Sequence, residues 1–355
     1  MKRKFVYLAI LVFVTIIWIY WTSNVFNNVN IITFLRIHGN FMDDLLLHPA
    51  EDTCRGPPFI IILVTSYVGH IELRSAHRRA MTPDLLRSMN IARVFLLARI
   101  PENEKYIDQR LVEDENNTYG DIVQGSFIED YRNLIFKHLM GLQWASTICR
   151  NANFILKVDD DTIFSIEKTY KLLIKENLEN TMLGFMINNT KPKTDKQNKW
   201  FVTWDEYPRH NYPPYLSGWY YVTTPKLAGL LCDEAMILPK FWIDDITVSG
   251  LIPESLNNRS SVRIKLRHLP ESYWLEYYEL LECCINDMIK KHYICEVVGP
   301  NGGRNNLIFE YNEALRSCAN CTERPSDKPL KKSCVAYKDR SIFSEGKAEI
   351  YHMKL

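Results

Sequence analysis

Residues Phe154 to Phe164 read FILKVDDDTIF, an apolar run that stops on three consecutive carboxylates. Three neighbouring anions repel one another, so Asp159, Asp160 and Asp161 at the end of a buried strand imply a positive partner. Asp161 or Ser165 could cap the helix that follows, but one cap leaves the other acids unexplained. An EF-hand calcium loop needs glycine at its sixth place and glutamate at its twelfth. Counted from Asp159, those places hold Phe164 and Tyr170, so that chemistry fails. What remains is a divalent ion shared with a phosphorylated ligand. Mg²⁺ or Mn²⁺ takes one or two carboxylates, waters and phosphate oxygens, and Asp-x-Asp supplies such a half-shell.

To be useful, those acids must be held at a rim by the surrounding elements. PPFIIILVTS, Pro57 to Ser66, is a continuous apolar run opened by prolines, the pattern of a strand buried on both faces. ARVFLLA, Ala92 to Ala98, repeats it, and DIVQGSF from Asp121 is a third candidate. In EDYRNLIFKHLMGLQWASTIC, Tyr131, Leu134, Ile135, Leu139, Leu142 and Ala145 recur at helical spacing and give one apolar face. The next strand is Phe154 to Val158, and Ile166, Tyr170, Leu173 and Leu178 lay out another helix. Strands alternating with helices predict an α/β domain with a largely parallel sheet. Ligands of such sheets bind beyond the carboxyl ends of the strands, where Asp159 to Asp161 fall.

Composition narrows the function classes. The 355 residues suffice for one large core or two modest ones, with 46% hydrophobic residues, 24% charged residues and a net charge of +1. That balance creates no field for nucleic acid. The exception is the N-terminus, where Lys2-Arg3-Lys4 precedes an apolar run from Phe5 to Trp21. As a helix the run spans about 26 Å, enough for a thin bilayer. Its basic flank and the exit-side aromatics Trp18, Tyr20 and Trp21 fit a signal anchor with a cytosolic N-terminus. A cleaved signal peptide is the competing reading, and no small-x-small cleavage site follows to support it.

A lumenal body is the consequence. Four sequons, at Asn116, Asn188, Asn258 and Asn320, agree with it. So do nine cysteines, an odd number that leaves at least one thiol unpaired within a monomer. Six of the nine lie between Cys283 and Cys334. Cys318 and Cys321 could form half a zinc site, but no second close pair follows, so disulfides are expected there.

Four ordered blocks resemble the β-1,3-galactosyltransferase family (glycosyltransferase family 31), which includes β-1,3-N-acetylglucosaminyltransferases. They are YGDIVQGSFIEDYRNLIFKHLMGLQW from Tyr119 to Trp144, KVDDD from Lys157 to Asp161, KWFVTWDEYPRHNYPPYLSGWYYVTT from Lys199 to Thr224, and WIDDITVSG from Trp242 to Gly250. The likeness covers roughly Cys54 to Gly250. It implies the GT-A (Rossmann-like) nucleotide-sugar-binding fold and an inverting transfer aided by Mn²⁺ or Mg²⁺. The early family motif Arg-x-x-Ile-Arg-x-Thr-Trp is altered: Arg74 and Arg78 match, whereas His77, Ala80 and Met81 replace Ile, Thr and Trp. Leu216 stands where many members have Cys, so Cys149 is expected to lack the partner it has in those relatives. Trp219 stands where smaller residues are common, which is expected to reshape the sugar pocket.

The resemblance assigns roles by position. Asp245 is the expected general base for the acceptor hydroxyl, a poor nucleophile at neutral pH. Asp244 orients Asp245 or holds an acceptor hydroxyl. Asp161 is the expected direct metal ligand, helped by Asp159. Asp160, Arg74, Arg78 and Lys157 are expected on the donor, although the two arginines suit surface ion pairs nearly as well. Gly218, Trp219 and Tyr215 are expected near the donor or acceptor sugar. The aromatic density around Trp200, Trp204, Tyr207, Tyr212 and Tyr215 suits either a sugar-stacking cleft or simple packing.

The expected organisation is a cytosolic tail (1–4), a transmembrane anchor (5–21), a lumenal stem (22–53), a GT-A catalytic domain (54–265) and a Cys-containing C-terminal extension (266–355). The expected activity is a Golgi type II membrane hexosyltransferase moving galactose from UDP-galactose to a sugar hydroxyl in β-1,3 linkage, on a glycoprotein or glycolipid acceptor. UDP-N-acetylglucosamine is the alternative donor. A non-catalytic glycan-binding relative is the alternative class, against which stands the presence of every acid in the matched blocks.

Overall fold

The computed structural model describes residues 40–275, 278–300, 305–330, 334–339 and 350–354. The expected tail, the anchor and stem residues 22–39 lie outside them. Among the described residues no helix is long and apolar enough to cross a membrane.

Nine strands carry the site: β1 Leu45–Leu47, β2 Ile60–Thr65, β3 Ile91–Arg99, β4 Ile122–Ile128, β5 Phe154–Asp159, β6 Thr162–Ile163, β7 Thr181–Ile187, β8 Tyr215–Thr223 and β9 Lys265–His268. All but β6 form one sheet in the order β1-β4-β3-β2-β5-β8-β7-β9. The sheet is mixed, not largely parallel. Strands β4, β3, β2 and β5 run parallel, whereas β8 is antiparallel to both β5 and β7, and β1 is antiparallel to β4. The segment 188–214 returns the chain from β7 to its neighbour β8 without a crossover helix, and such a return reverses strand direction. Residues 41–47, expected within the stem, supply a helical turn and the edge strand β1.

The chain builds outward from β2 through β3 to β4, then comes back to place β5 on the other side of β2. Strand order therefore reverses between β2 and β5, the crevice where open α/β sheets bind ligands. Register puts Thr65 opposite Asp159 at its mouth.

Strand β2 shows why its sequence is unbroken by polar residues. Ile60, Ile62 and Val64 enter one core layer while Ile61 and Leu63 enter the other. Each fully buried aliphatic side chain contributes about 1.5–3 kcal/mol. The second layer holds the helix Leu134–Ile148, whose buried residues include Ile135, Lys137, His138, Met140, Leu142 and Trp144. It is buried nearly all round, beyond the single apolar face expected, because the sheet lies on one side and the helix Pro225–Ala235 on another.

The first layer continues into the C-terminal part. The helix Leu307–Ser317 packs on the helix Ile71–Ala80, and Arg316 donates to the Ala80 carbonyl at 3.0 Å. Disulfides join Cys283 to Cys334, Cys284 to Cys295 and Cys318 to Cys321. Cys149 is not unpaired: it is bonded to Cys54. The partner lies 95 residues upstream, outside the block where Leu216 replaces a cysteine, so that local comparison could not find it. Cys232 is the free thiol, buried among apolar neighbours.

Candidate active site

A cleft of about 450 Å³ opens at the carboxyl ends of β2 and β5. Its walls include Ser66, Tyr67 and His70 on one side and Glu129, Asp130, Tyr131 and Lys137 on the other, with Asp159, Asp160 and Asp161 between them.

The three aspartates do three different things. Asp160 turns inward, 6% exposed, and its Oδ2 accepts hydrogen bonds from Ser66 Oγ at 2.7 Å and His70 Nδ1 at 2.8 Å. Its backbone is held as well, with the Asp160 N–H on the Thr65 carbonyl at 2.9 Å and His77 Nε2 on the Asp160 carbonyl at 2.9 Å. Burial pushes the Asp160 carboxyl upward, but the hydrogen bonds and charges around it hold it below the usual range. Asp159 Oδ1 accepts from Lys157 Nζ at 2.5 Å, and the residue lines the cleft. Asp161 is exposed to the cleft, and no side-chain hydrogen bond reaches its carboxylate among the described residues. Crowding by protein atoms, then the charges of Asp159 and Asp160, pushes it up to about 7.

Lys157 connects this group to a second one. Its buried ammonium donates to Asp159 and, at 2.6 Å, to the Gly218 carbonyl. Gly218 lies against Asp245 so closely that an added Cβ would overlap the carboxylate, which is why glycine is required there. Burial and the adjacent Asp244 push Asp245 up to about 8, against the opposing charge of Lys157 and a hydrogen bond from the Gly218 N–H. Asp244 Oδ2 accepts from His138 Nδ1 at 2.9 Å, and Tyr221 Oη donates to His138 Nε2 at 2.6 Å. Burial keeps the His138 ring neutral, below its ordinary value. That neutral state fits one donating and one accepting nitrogen.

The turn carrying Asp244 and Asp245 opens a helix that widens over Thr247–Leu251 before regular turns resume at Ile252–Arg259. Pro253 has no N–H for the Ser249 carbonyl and its ring crowds that carbonyl, a local cause for the wider turn. Ser249 Oγ donates to the Asp245 carbonyl at 2.7 Å and accepts from the Leu216 N–H at 2.8 Å, tying the turn to β8.

Several residues expected at a ligand lie elsewhere. Arg74 is fully buried, with Nε and Nη2 on Glu115 at 2.8 and 2.7 Å and its remaining hydrogens on Ser66, Tyr67 and Val68. Arg78 bonds Glu115 and Asp121, both at 2.7 Å, beneath the Tyr119 ring. Neither guanidinium lines the cleft, because Glu115 and Asp121 claim them; in place of the expected donor contacts, Arg74 supports the loop after β2 and Arg78 ties its helix to Glu115 and Asp121. Lys157 is likewise a bridge under the site. Trp219 packs its ring on Phe185 at 6.1 Å and on Tyr220 at 6.3 Å. Tyr215 is half-buried near Asp245, whose charge helps raise its hydroxyl after burial and against a Thr190 bond.

The aromatic segment divides. Tyr207 and Tyr212 join Val202, Phe241, Trp242 and Ile246 in a small buried cluster. Trp200 and Trp204 stay 41% and 58% exposed. Trp200 Nε1 donates to Tyr131 Oη at 2.9 Å, which brings that ring to the cleft wall. Of the sequons, Asn188, Asn258 and Asn320 are exposed. Asn116 instead uses its amide as a clamp, donating to the His48 carbonyl at 2.8 Å and accepting from the Ile122 N–H at 3.0 Å, a correction to its reading as a free acceptor.

Ser66, His70, Tyr131, Lys137 and His138 escaped the sequence reading. Lys137 and His138 sit inside an apolar helical pattern that hides their polarity. A polar pair interrupting a buried face was the available signal.

The donor set fits a hard dication. Among the described residues no three ligating side chains converge. Asp159 and Asp161 both line the cleft, and two carboxylates are the number that Mg²⁺ or Mn²⁺ takes when phosphate and water complete its sphere.

The chain is similar in sequence to known proteins. The family model described as galactosyltransferase matches residues 73–261, more than half of the chain. Beta-1,3-galactosyltransferase 5 of Homo sapiens is 29% identical over 258 residues, 72% of this chain and 79% of that protein. Beta-1,3-galactosyltransferase 2 of Homo sapiens is 31% identical over 207 residues, 57% of this chain and 49% of that protein. The solved structure of galactosyltransferase LgtC in complex with donor and acceptor sugar analogs aligns with 76% of this chain at a TM-score of 0.35 and 10% identity, an overlap too weak to carry weight. With its acids on Lys157 and Gly218 and its matched span running through both acidic motifs, the chain belongs to the galactosyltransferase family and is a hexosyltransferase.

Proposed function

We propose that this chain is an inverting, metal-dependent β-1,3-galactosyltransferase of the GT-A fold, using UDP-galactose and a glycan hydroxyl. The observation that carries the reading is the single ammonium of Lys157 joining Asp159 to the Gly218–Asp245 contact, which puts a nucleotide-side acid and a base candidate in one electrostatic unit. The nucleoside diphosphate enters the cleft at the ends of β2 and β5. Asp161 and Asp159 would hold the dication, which would supply charge neutralisation at the departing diphosphate.

Asp245 accepts the proton of the acceptor hydroxyl as that oxygen attacks the anomeric carbon from the face opposite the diphosphate. A carboxyl pushed up to about 8 is a stronger base than an ordinary carboxylate, and it stays near the operating pH. Asp244, fixed by His138, keeps its charge and orients the acceptor. The exposed rings of Tyr131 and Trp200 offer apolar faces to the sugar of that acceptor. The Phe5 to Trp21 run anchors the chain in the Golgi membrane with the catalytic part lumenal.

A donor-by-acceptor screen with and without manganese tests the reading. Transfer from UDP-galactose that vanishes in Asp161→Asn and Asp245→Asn, with both variants still folded, is the expected result. Full turnover in both variants overturns the assigned roles, and preference for UDP-N-acetylglucosamine overturns the donor.

A further inference from the structure

Two histidines of one helical segment converge on Asp160. His77, fully buried, meets the Asp160 carbonyl at 2.9 Å with Nε2 and thereby fixes the backbone of the acidic turn. His70, at the N-cap of the Ile71–Ala80 helix, meets the Asp160 carboxylate with Nδ1 at 2.8 Å. A carboxylate only accepts, so Nδ1 carries the hydrogen. Asp160 spends its charge inward on Ser66 and His70, leaving His70 as the polar group presented in its place.

The His70 side chain is 47% exposed and lines the cleft beside Tyr67, Asp159 and Asp161. The Tyr67 ring packs against it at 5.2 Å. An imidazole held by a carboxylate through one nitrogen has a fixed tautomer and a directed second nitrogen. In the neutral ring that second nitrogen is a lone-pair acceptor, complementary to a hydroxyl and not to a phosphate oxygen. Its side chain makes no cap hydrogen bond to its own helix, so the helix does not require it.

We propose that His70 Nε2 accepts a hydrogen bond from a ribose hydroxyl of the nucleoside diphosphate, which makes His70 a specificity-determining residue of the donor site. The inference rests on the reading that this cleft takes a nucleotide sugar.

Calorimetric titration of the purified chain tests it, with manganese present and at alkaline pH, which favours the neutral ring against the Asp160 hydrogen bond that raises its pKa. UDP, 2′-deoxy-UDP and 3′-deoxy-UDP are the probes. Wild type is expected to bind one of the deoxy compounds about 5- to 10-fold more weakly than UDP, the usual reach of one hydrogen bond. His70→Phe is expected to bind UDP weaker by the same factor and to lose that discrimination. His70→Gln, which keeps an accepting oxygen, is expected to recover part of both.

Equal UDP affinity in wild type and His70→Phe, or undiminished discrimination in the variant, overturns the role of His70 while the nucleotide reading stands. Absence of UDP binding to wild type overturns both. Melting temperatures accompany the titrations; should His70→Phe melt early, the comparison of wild type with His70→Gln against the deoxy compounds decides.

Discussion

Lys157 Nζ lies 2.5 Å from Asp159 Oδ1, two residues further along the same strand, with its second bond to the Gly218 carbonyl beside Asp245. Burial alone pulls an ammonium down, yet the charges of Asp159, Asp244 and Asp245 together hold Lys157 above its ordinary value. The cation beneath the cleft and the acids around it therefore set one another's protonation.

That coupling has a direction. Burial and Asp244 raise Asp245 to about 8, and Lys157 opposes them. Lys157→Met removes the opposing charge, so the base is expected to deprotonate at higher pH. The rising limb of kcat/KM against pH should move upward by about one unit, since that limb reports the free enzyme's base. Lys157→Arg, which keeps the charge, should move it less. A limb that stays put in Lys157→Met separates Asp245 from the titration.

Asp161 makes a stability prediction. Its carboxyl sits at about 7 in the folded chain against 3.8 unperturbed. Between those values the folded chain holds a proton that the unfolded chain has released. Stability from this group is therefore complete below about 4 and is lost as pH rises through about 7. Asp161→Asn imitates the protonated state, so at pH 8 it should melt about 1–3 °C above wild type, with the gap closing toward pH 5. Acids held low, such as Asp160 and Asp244, pull the other way in both proteins and cancel in the difference. Adding UDP with manganese should reverse the order by stabilising wild type alone.

Glu115 is the shared partner of Arg74 and Arg78, all three buried. Burial raises the Glu115 carboxyl, but the two arginines hold it below its usual range. Glu115→Ala leaves two guanidinium groups without that partner and is expected to cost about 3–5 kcal/mol in urea denaturation. A loss below 1 kcal/mol would mean that Asp121 and the loop carbonyls suffice for both.

Tyr221 and His138 act on Asp244 at one remove. Tyr221→Phe deletes the hydroxyl that donates to His138 Nε2 and leaves a buried acceptor unpaired, at about 1–3 kcal/mol of stability. If the ring then shifts its hold on Asp244, kcat should fall about tenfold, the equivalent of about 1.4 kcal/mol in the barrier. KM for the donor should stay level, because the nucleotide cleft lies on the other side of Lys157. A donor KM that rises while kcat holds would place this pair under donor binding instead.

The strands were legible because burial on both faces leaves no room for polar residues. Ile60–Thr65, Ile91–Arg99 and Phe154–Asp159 stand within a few residues of the runs from which they were read. Strand direction was less legible, since nothing between Ile187 and Tyr215 announces whether the chain crosses over or turns back. The helix Leu134–Ile148 shows the same limit in another form. Its apolar spacing was visible, but its burial on several sides depends on the Pro225–Ala235 helix that arrives later.

The sequence by itself determined that carboxylates cluster at the end of a core strand and again near Trp242, because local alternation and charge repulsion are written in neighbouring residues. Only the tertiary structure decided which acid does what. Asp160 faces inward because Ser66, 94 residues away, meets it across the β2–β5 pair, and Asp161 is left open because no such partner reaches it. Arg74 was drawn under the site for the same reason: Glu115 competes for it from a helix 41 residues distant. Hydrogen bonds and ion pairs act over a few ångströms in space, and the register of the sheet, not the order of the chain, sets those distances.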